Sequence, residues 1–125
     1  MKRAYIPVVT RSETVIVYLD DIFFLQQEQR RLHIHTRRHS YVFYHKLEDL
    51  IPLFYEDKFY RCHKSCVVNF EKVKAMSEGS VFFEDGTVIT LGRESFRCAR
   101  RFFNQFLKKR EPAMQAQRIA YTKTP

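Results

Sequence analysis

The chain has 125 residues, 45% of them hydrophobic and 15% aromatic, which fits one domain with a sizeable core and excludes a disordered segment. Its 22 Lys and Arg against 14 Asp and Glu give a net charge of +8, which implies an acidic partner: nucleic acid first, an anionic membrane surface second. No apolar run reaches the roughly 18 residues of a membrane span, the mostly apolar run Ala4–Val8 is too short for a secretory signal, and an odd count of three cysteines speaks against a secreted disulfide framework, so the expected setting is the cytoplasm.

Thr14–Tyr18 (TVIVY) is β-branched and aromatic and predicts a strand. Ile22–Leu25 (IFFL) is a short apolar run behind the acidic pair Asp20–Asp21. Leu32, Ile34 and Thr36 alternate with His33, His35 and Arg37, the period of a half-buried strand, and Tyr41–Tyr44 (YVFY) follows the polar turn Arg37–Ser40. Leu47, Leu50, Ile51 and Phe54 fall at i, i+3, i+4 and i+7. They predict a short helix with Glu48 and Asp49 near its N-terminus and Pro52 ending it after about Ile51. Val81–Glu84, Asp85-Gly86 and Thr87–Leu91 read as a hairpin with a type I′ turn. A second helix is predicted from about Glu94 to Lys109, with Phe96, Ala99, Phe103, Phe106 and Leu107 on one face and Lys108–Arg110 at its C-terminus. From Arg93 onward nine basic residues stand against two acids, so nearly all the charge excess sits in the last quarter. The expected fold class is mainly β: short antiparallel strands in small sheets, a short central helix and a C-terminal amphipathic helix. The domain should cover residues 1–109, with 110–125 a basic, flexible tail.

Four chemistries are open for the stretch Phe59–Asn69 (FYRCHKSCVVN). A metal site needs ligand spacings that are missing: there is no Cys-x-x-Cys, and His33 and His35 lie in another segment, so neither metal nor cofactor is expected. Catalysis by Cys62 and His63 is disfavoured because neighbours on a strand point to opposite faces, and no Gly-rich or oxyanion motif supports an enzyme. Cys62 is a candidate redox thiol, since Arg61, His63 and Lys64 surround it and positive neighbours lower a thiol pKa; a small residue packed under the turn is the competing reading, and Cys66 and Cys98 read as core fillers. Nucleic-acid binding is favoured by three basic or polar loops, Gln26–Arg31, Arg61–Ser65 and Leu91–Ser95, each behind an apolar run. The strand-rich pattern leaves no room for a helix-turn-helix, so loops must do any reading. Asn69 is expected to close the local backbone.

The order of these motifs resembles the LytTR DNA-binding domain, the effector module of bacterial response regulators such as those of accessory-gene-regulator quorum sensing. The resemblance rests on Asp20-Asp21-Ile22, on Leu47-x-x-Leu50, on Phe59, Arg61, His63, Ser65, Val68 and Asn69, and on Asp85-Gly86 followed by Gly92-Arg93. It spans about residues 5 to 107. It implies small antiparallel sheets whose loops enter successive major grooves of double-stranded DNA, at paired direct repeats occupied by two copies. Base-reading positions then match Arg30, Arg31, Lys64 and Arg93, and phosphate contacts match Lys46, Ser65, Gly92 and Glu94. Lys64 stands where several relatives carry an uncharged polar residue, and Gly92 replaces the more usual Ser. Lys108 and Lys109 are expected to add sequence-independent affinity. No receiver domain fits in 125 residues, so control is expected from a regulatory protein partner, a membrane-bound inhibitor being one form of it. The alternative is a non-enzymatic protein- or RNA-interaction module, with Phe23, Phe24 and Tyr41 as stacking aromatics.

Overall fold

The computed structural model describes residues 3–110; the predicted tail over 111–125 lies outside the described residues. Ten short strands and two helices follow the punctuation of the sequence: β1 (Tyr5–Val9), β2 (Thr14–Tyr18), β3 (Ile22–Glu28), β4 (Arg31–Thr36), β5 (Ser40–Tyr44), α1 (Leu47–Leu50), β6 (Phe59–His63), β7 (Cys66–Asn69), β8 (Val73–Ser77), β9 (Ser80–Phe83), β10 (Val88–Thr90) and α2 (Arg93–Arg110). The fold is mainly β. All pairings are antiparallel, in a sheet of five strands ordered β5-β4-β3-β7-β6, one of three ordered β10-β9-β8, and the hairpin β1-β2.

The five-stranded sheet is the middle layer, with a separate core on each face. One core joins Ile6, Val8 and Val17 of the first hairpin to Leu25, Leu32 and Val67 of the sheet and Leu47 and Leu50 of α1. The other joins Phe24, Cys66 and Val68 of the sheet to Val81, Phe83 and Ile89 of the small sheet and Ala99, Phe103 and Phe106 of α2. The central strands β3 and β7 are therefore covered on both faces, which is why they read as unbroken apolar runs. A register shift between Ile22 and Phe24 lets Phe23 and Phe24 face the same core despite being neighbours. Both rings are buried, so they pack the core and offer no stacking platform to a single strand.

Several expectations change in detail. The Pro-containing segment Tyr5–Val9 is a full strand, paired along β2 from Tyr5↔Tyr18 to Val9↔Thr14. The helix after Lys46 is α-helical only to Leu50 and continues as a 3₁₀ turn over Ile51–Leu53, where Pro52 fits the first turn. The Asp85-Gly86 hairpin forms, with Val88↔Phe82 pairing, but its turn is not type I′. Only Gly86 is left-handed there (φ 93°), and its amide donates to the Phe83 carbonyl, the pattern of a three-residue loop closed by glycine. The two-residue turn with both φ values positive is Glu78-Gly79 (φ 50° and 83°), between β8 and β9. Asn69 is fully buried and closes the backbone as expected: its amide nitrogen donates to the Ile22 carbonyl (2.8 Å) and its oxygen accepts from the Glu71 amide (3.0 Å). Arg110 is the last residue of α2, not the start of a tail, and is latched to Glu71 (2.8 Å) and Asp57 (3.4 Å).

Candidate nucleic-acid interface

The first reading loop is narrower than its sequence suggests. Gln26, Gln27 and Glu28 continue β3 and Arg31 begins β4, so only Gln29 and Arg30 turn. Gln29 takes φ 56°, which a non-glycine residue tolerates only in a tight turn. The turn is held by one side chain. The amide nitrogen of Gln27 lies 3.0 Å from the carbonyl oxygens of Gln29, Arg31 and His45, and its oxygen accepts from the Leu47 amide at 2.6 Å. Gln27 thus ties the Arg30–Arg31 turn to the segment carrying Lys46. The backbone adds a further tie, the His45 amide donating to the Arg30 carbonyl.

The second loop also shrinks. Arg61, Cys62 and His63 belong to β6, and Lys64-Ser65 alone make the turn into β7. Alternation puts Cys62 on the core face and His63 outside. Arg61 does not reach outward. Its guanidinium binds Glu48 of α1 (3.0 and 3.2 Å) and the Lys64 carbonyl (2.7 Å), so it buttresses the turn from beneath. The same hydrogen bonds hold the Glu48 carboxyl below its ordinary value. His63 accepts from the Ser65 amide through Nδ1 (3.2 Å), closing the turn on its outer side. Lys64 is left exposed, without an acidic partner among the described residues.

Cys62 departs from its expected role. A hydrogen bond to Cys66, with burial next, pushes its thiol pKa up, opposite to the lowering expected from basic neighbours. The charged neighbours point away across the pleat, and the thiol behaves as a core group. Among the described residues no group of three His, Cys, Asp or Glu could hold a metal ion.

Register brings these loops together. In the β3–β7 pair Gln26 faces Cys66, and the Gln27 amide donates to the Ser65 carbonyl (2.8 Å), so the Arg30 and Lys64 turns lie side by side at one end of the sheet. Tyr44 pairs with Arg31, which brings Lys46 to that end as well. A depression of about 210 Å³ lined by Gln26, Glu28, His33, His63 and Ser65 separates the two turns.

The third loop arrives by packing. Helix α2 runs antiparallel to β6: Arg110 reaches Asp57, Phe106 packs on Phe70, and Phe102 stacks on Tyr60 at 5.1 Å. From Tyr60 to Lys64 is four strand residues, about 13 Å; from Phe102 back to Arg93 is nine helical residues, also about 13 Å. The start of α2 therefore comes level with the Lys64 turn. Gly92 and Arg93 are exposed, Glu94 is paired with Arg97 (2.7 Å), and the first amides of α2 point out of the helix start. A Cβ on Gly92 would meet nothing within 4 Å, so packing does not demand glycine there. Lys108 and Lys109 sit at the other end of α2, about 24 Å along its axis. They do not join the cluster.

Arg30, Arg31, Lys46, Lys64 and Arg93 are all exposed and none has an ion-pair partner among the described residues, whereas Arg37, Lys58, Arg61 and Arg110 are paired. Of the paired four only Lys58 is buried, where the cost of desolvating a charge requires a partner. Sequence reasoning named the cations but missed the two groups that aim them, Gln27 and Arg61. The first left no signal, because Gln27 stands among polar neighbours in the stretch Gln26–Arg31. The second had none, because Glu48 lies in another element.

The family model for the LytTr DNA-binding domain matches residues 12–106. Accessory gene regulator protein A of Staphylococcus aureus is 35% identical over 78 residues, 59% of this chain and 32% of the relative. The transcriptional regulatory protein YpdB of Escherichia coli is 28% identical over 67 residues, 53% of this chain and 27% of the relative. The chain thus spans about a third or less of the curated relatives it matches. A solved LytTr DNA-binding domain from Bacillus cereus superposes with a TM-score of 0.68 at 16% identity, covering 81% of this chain and 97% of that one, a likeness of fold.

Proposed function

Because the chain belongs to the LytTR DNA-binding domain family, we propose that it regulates transcription from the cytoplasm by reading a specific double-stranded DNA site through the major groove. Arg30, Arg31, Lys64 and Arg93 touch base edges, where a guanidinium can hold guanine O6 and N7 together. Lys46, Ser65 and the exposed backbone at Gly92 and Glu94 hold phosphates and set the register. The observation that carries this reading is that the Arg30 and Lys64 turns lie side by side at one end of the sheet, with α2 packed along β6 so that its Arg93 end runs toward the Lys64 turn, and that these cations have no ion-pair partner among the described residues. Turns on strand ends are stiff, and stiff mounts are what base-specific contact requires. The site is taken as two direct repeats, one copy of the domain on each, and a regulatory protein partner sets its occupancy. No step of this function is catalytic, and none uses a metal or cofactor.

The test is selection from a random duplex pool at about 150 mM salt, where non-specific polyanion binding fades. Enrichment of two short repeats about one helical turn apart, relaxed at single positions by Lys64→Ala and Arg93→Ala, is the expected result. Binding that vanishes with salt and enriches no sequence refutes it and returns the chain to a general protein- or RNA-interaction role.

A further inference from the structure

The five-stranded sheet has an edge at β5, and the first hairpin leans on that edge without pairing to it. Between them runs an open groove of about 600 Å³, within the range of small-ligand sites. Its floor is apolar. Val9 is 62% exposed, Val42 44% and Tyr44 72%, with the mostly buried Phe43 beneath them. Isolated exposed apolar residues are ordinary, but three sharing one concave surface are not. Two guanidiniums also line the groove, Arg11 from the β1–β2 loop and Arg31 from β4. Neither has a carboxylate partner among the described residues. Arg31 only lies over the Tyr44 ring, at 5.9 Å. Glu28, opposite Arg31 in the β3–β4 register, lies 3.7 Å from His33.

An apolar trough with two uncompensated cations at its rim is complementary to a molecule with an apolar body and one anionic head. We propose that this groove binds a small amphipathic acid, its carboxylate pairing with Arg31 and Arg11 and its apolar body lying along Val9, Val42, Phe43 and Tyr44. A carboxylate suits the forked donors of arginine better than a neutral group does. Occupancy has a consequence that rests on the function proposed above: the acid engages Arg31, one of the cations assigned to DNA, so acid and DNA compete. The site itself does not depend on that reading.

Decanoate, below its micelle concentration, is the probe, and its neutral amide decanamide is the control. Titration followed by amide resonances of the full chain should give saturable shifts centred on Val9, Val42, Phe43 and Tyr44. Decanamide, which forfeits both pairs, should bind more than fivefold more weakly, one exposed charge pair at the upper end of its range supplying a factor of about five. Arg11→Ala, in an exposed loop where folding is not at stake, should weaken decanoate by a similar factor and leave decanamide unchanged. The proposal is overturned if no saturable shift occurs, if acid and amide bind alike, or if the shifts centre on α2. A DNA titration in parallel separates the two claims. Loss of DNA affinity with decanoate and not with decanamide supports both; groove binding with DNA affinity intact upholds the site and removes Arg31 from the DNA contacts.

Discussion

Replacing Gln27 by alanine should loosen the reading end as a unit. The Gln27 side-chain nitrogen has three carbonyl acceptors at 3.0 Å but only two hydrogens, so it serves two at a time; with the 2.6 Å bond from the Leu47 amide, three hydrogen bonds are made at once. At about 0.5–1.5 kcal/mol net for each, and with water able to reach part of this half-buried site, Gln27→Ala should cost about 2 kcal/mol. For a domain of this size that lowers Tm by roughly 6–10 °C. Gln27→Glu keeps the acceptor for Leu47 but turns a carboxylate toward carbonyl oxygens, so it should not recover the loss. Urea unfolding of the three proteins measures the cost, and hydrogen exchange at the Leu47 amide reports the local opening. An alanine variant within about 0.5 kcal/mol of the parent, or a glutamate variant that restores stability, would refute the assignment of Gln27 as the tie between the Arg30 turn and the Lys46 segment.

Asn69→Ala should be costlier than most single changes, about 2–4 kcal/mol by urea denaturation, because it orphans the Ile22 carbonyl and the Glu71 amide at a fully buried position. Asp85 and Asp20 have folded pKa values below the ordinary 3.8. At Asp85 burial pushes upward but is outweighed by the Thr87 amide and His35, and at Asp20 the Lys58 hydrogen bond dominates. Groups depressed on folding contribute stability above the unfolded value and lose it as pH falls through the folded value, so stability should drop below about pH 4, and Asp85→Asn should flatten that limb in acid titrations followed by circular dichroism. On the selected duplex, Lys64→Ala and Arg93→Ala should each cost about 1–3 kcal/mol and relax one position. Lys109→Ala should change affinity little at about 150 mM salt, since the far end of α2 lies well beyond the screening length of about 8 Å; fluorescence anisotropy distinguishes the two classes.

Much of the fold was legible because its strongest signals are periodic. The alternation Leu32, Ile34, Thr36 and the face Ala99, Phe103, Phe106 are buried as their spacing requires. The run Phe59–Asn69 was legible as strand, turn and anchor, though its turn is two residues rather than five. What failed was local competition between rules. Asp85-Gly86 carries the stronger type I′ signature, yet Phe83 pairs with Thr87 across the loop and fixes three residues between them, while the weaker Glu78-Gly79 takes both left-handed conformations. Strand β1 was hidden by Pro7, which sits on a two-stranded ribbon where a missing amide is tolerated. For the candidate site, the cations were visible and their aim was not. Arg61 looks like Lys64 in the sequence, and only Glu48, thirteen positions away, turns one inward as a brace and leaves the other free. Cys62 misled for the same reason, since neighbours along a strand are not neighbours in space.

The division between mount and tip has an evolutionary consequence. The inward residues at the base of the Lys64 turn, Cys66 and Val67, belong to two different cores, so the turn is fixed from both sides of the sheet whatever side chain stands at its apex. Lys64 itself contributes no side-chain bond to the protein among the described residues. Substitution there is almost free of stability cost, which leaves its identity open to drift. If the apex reads a base, the preferred site can migrate one residue at a time between related regulators with no intermediate that fails to fold.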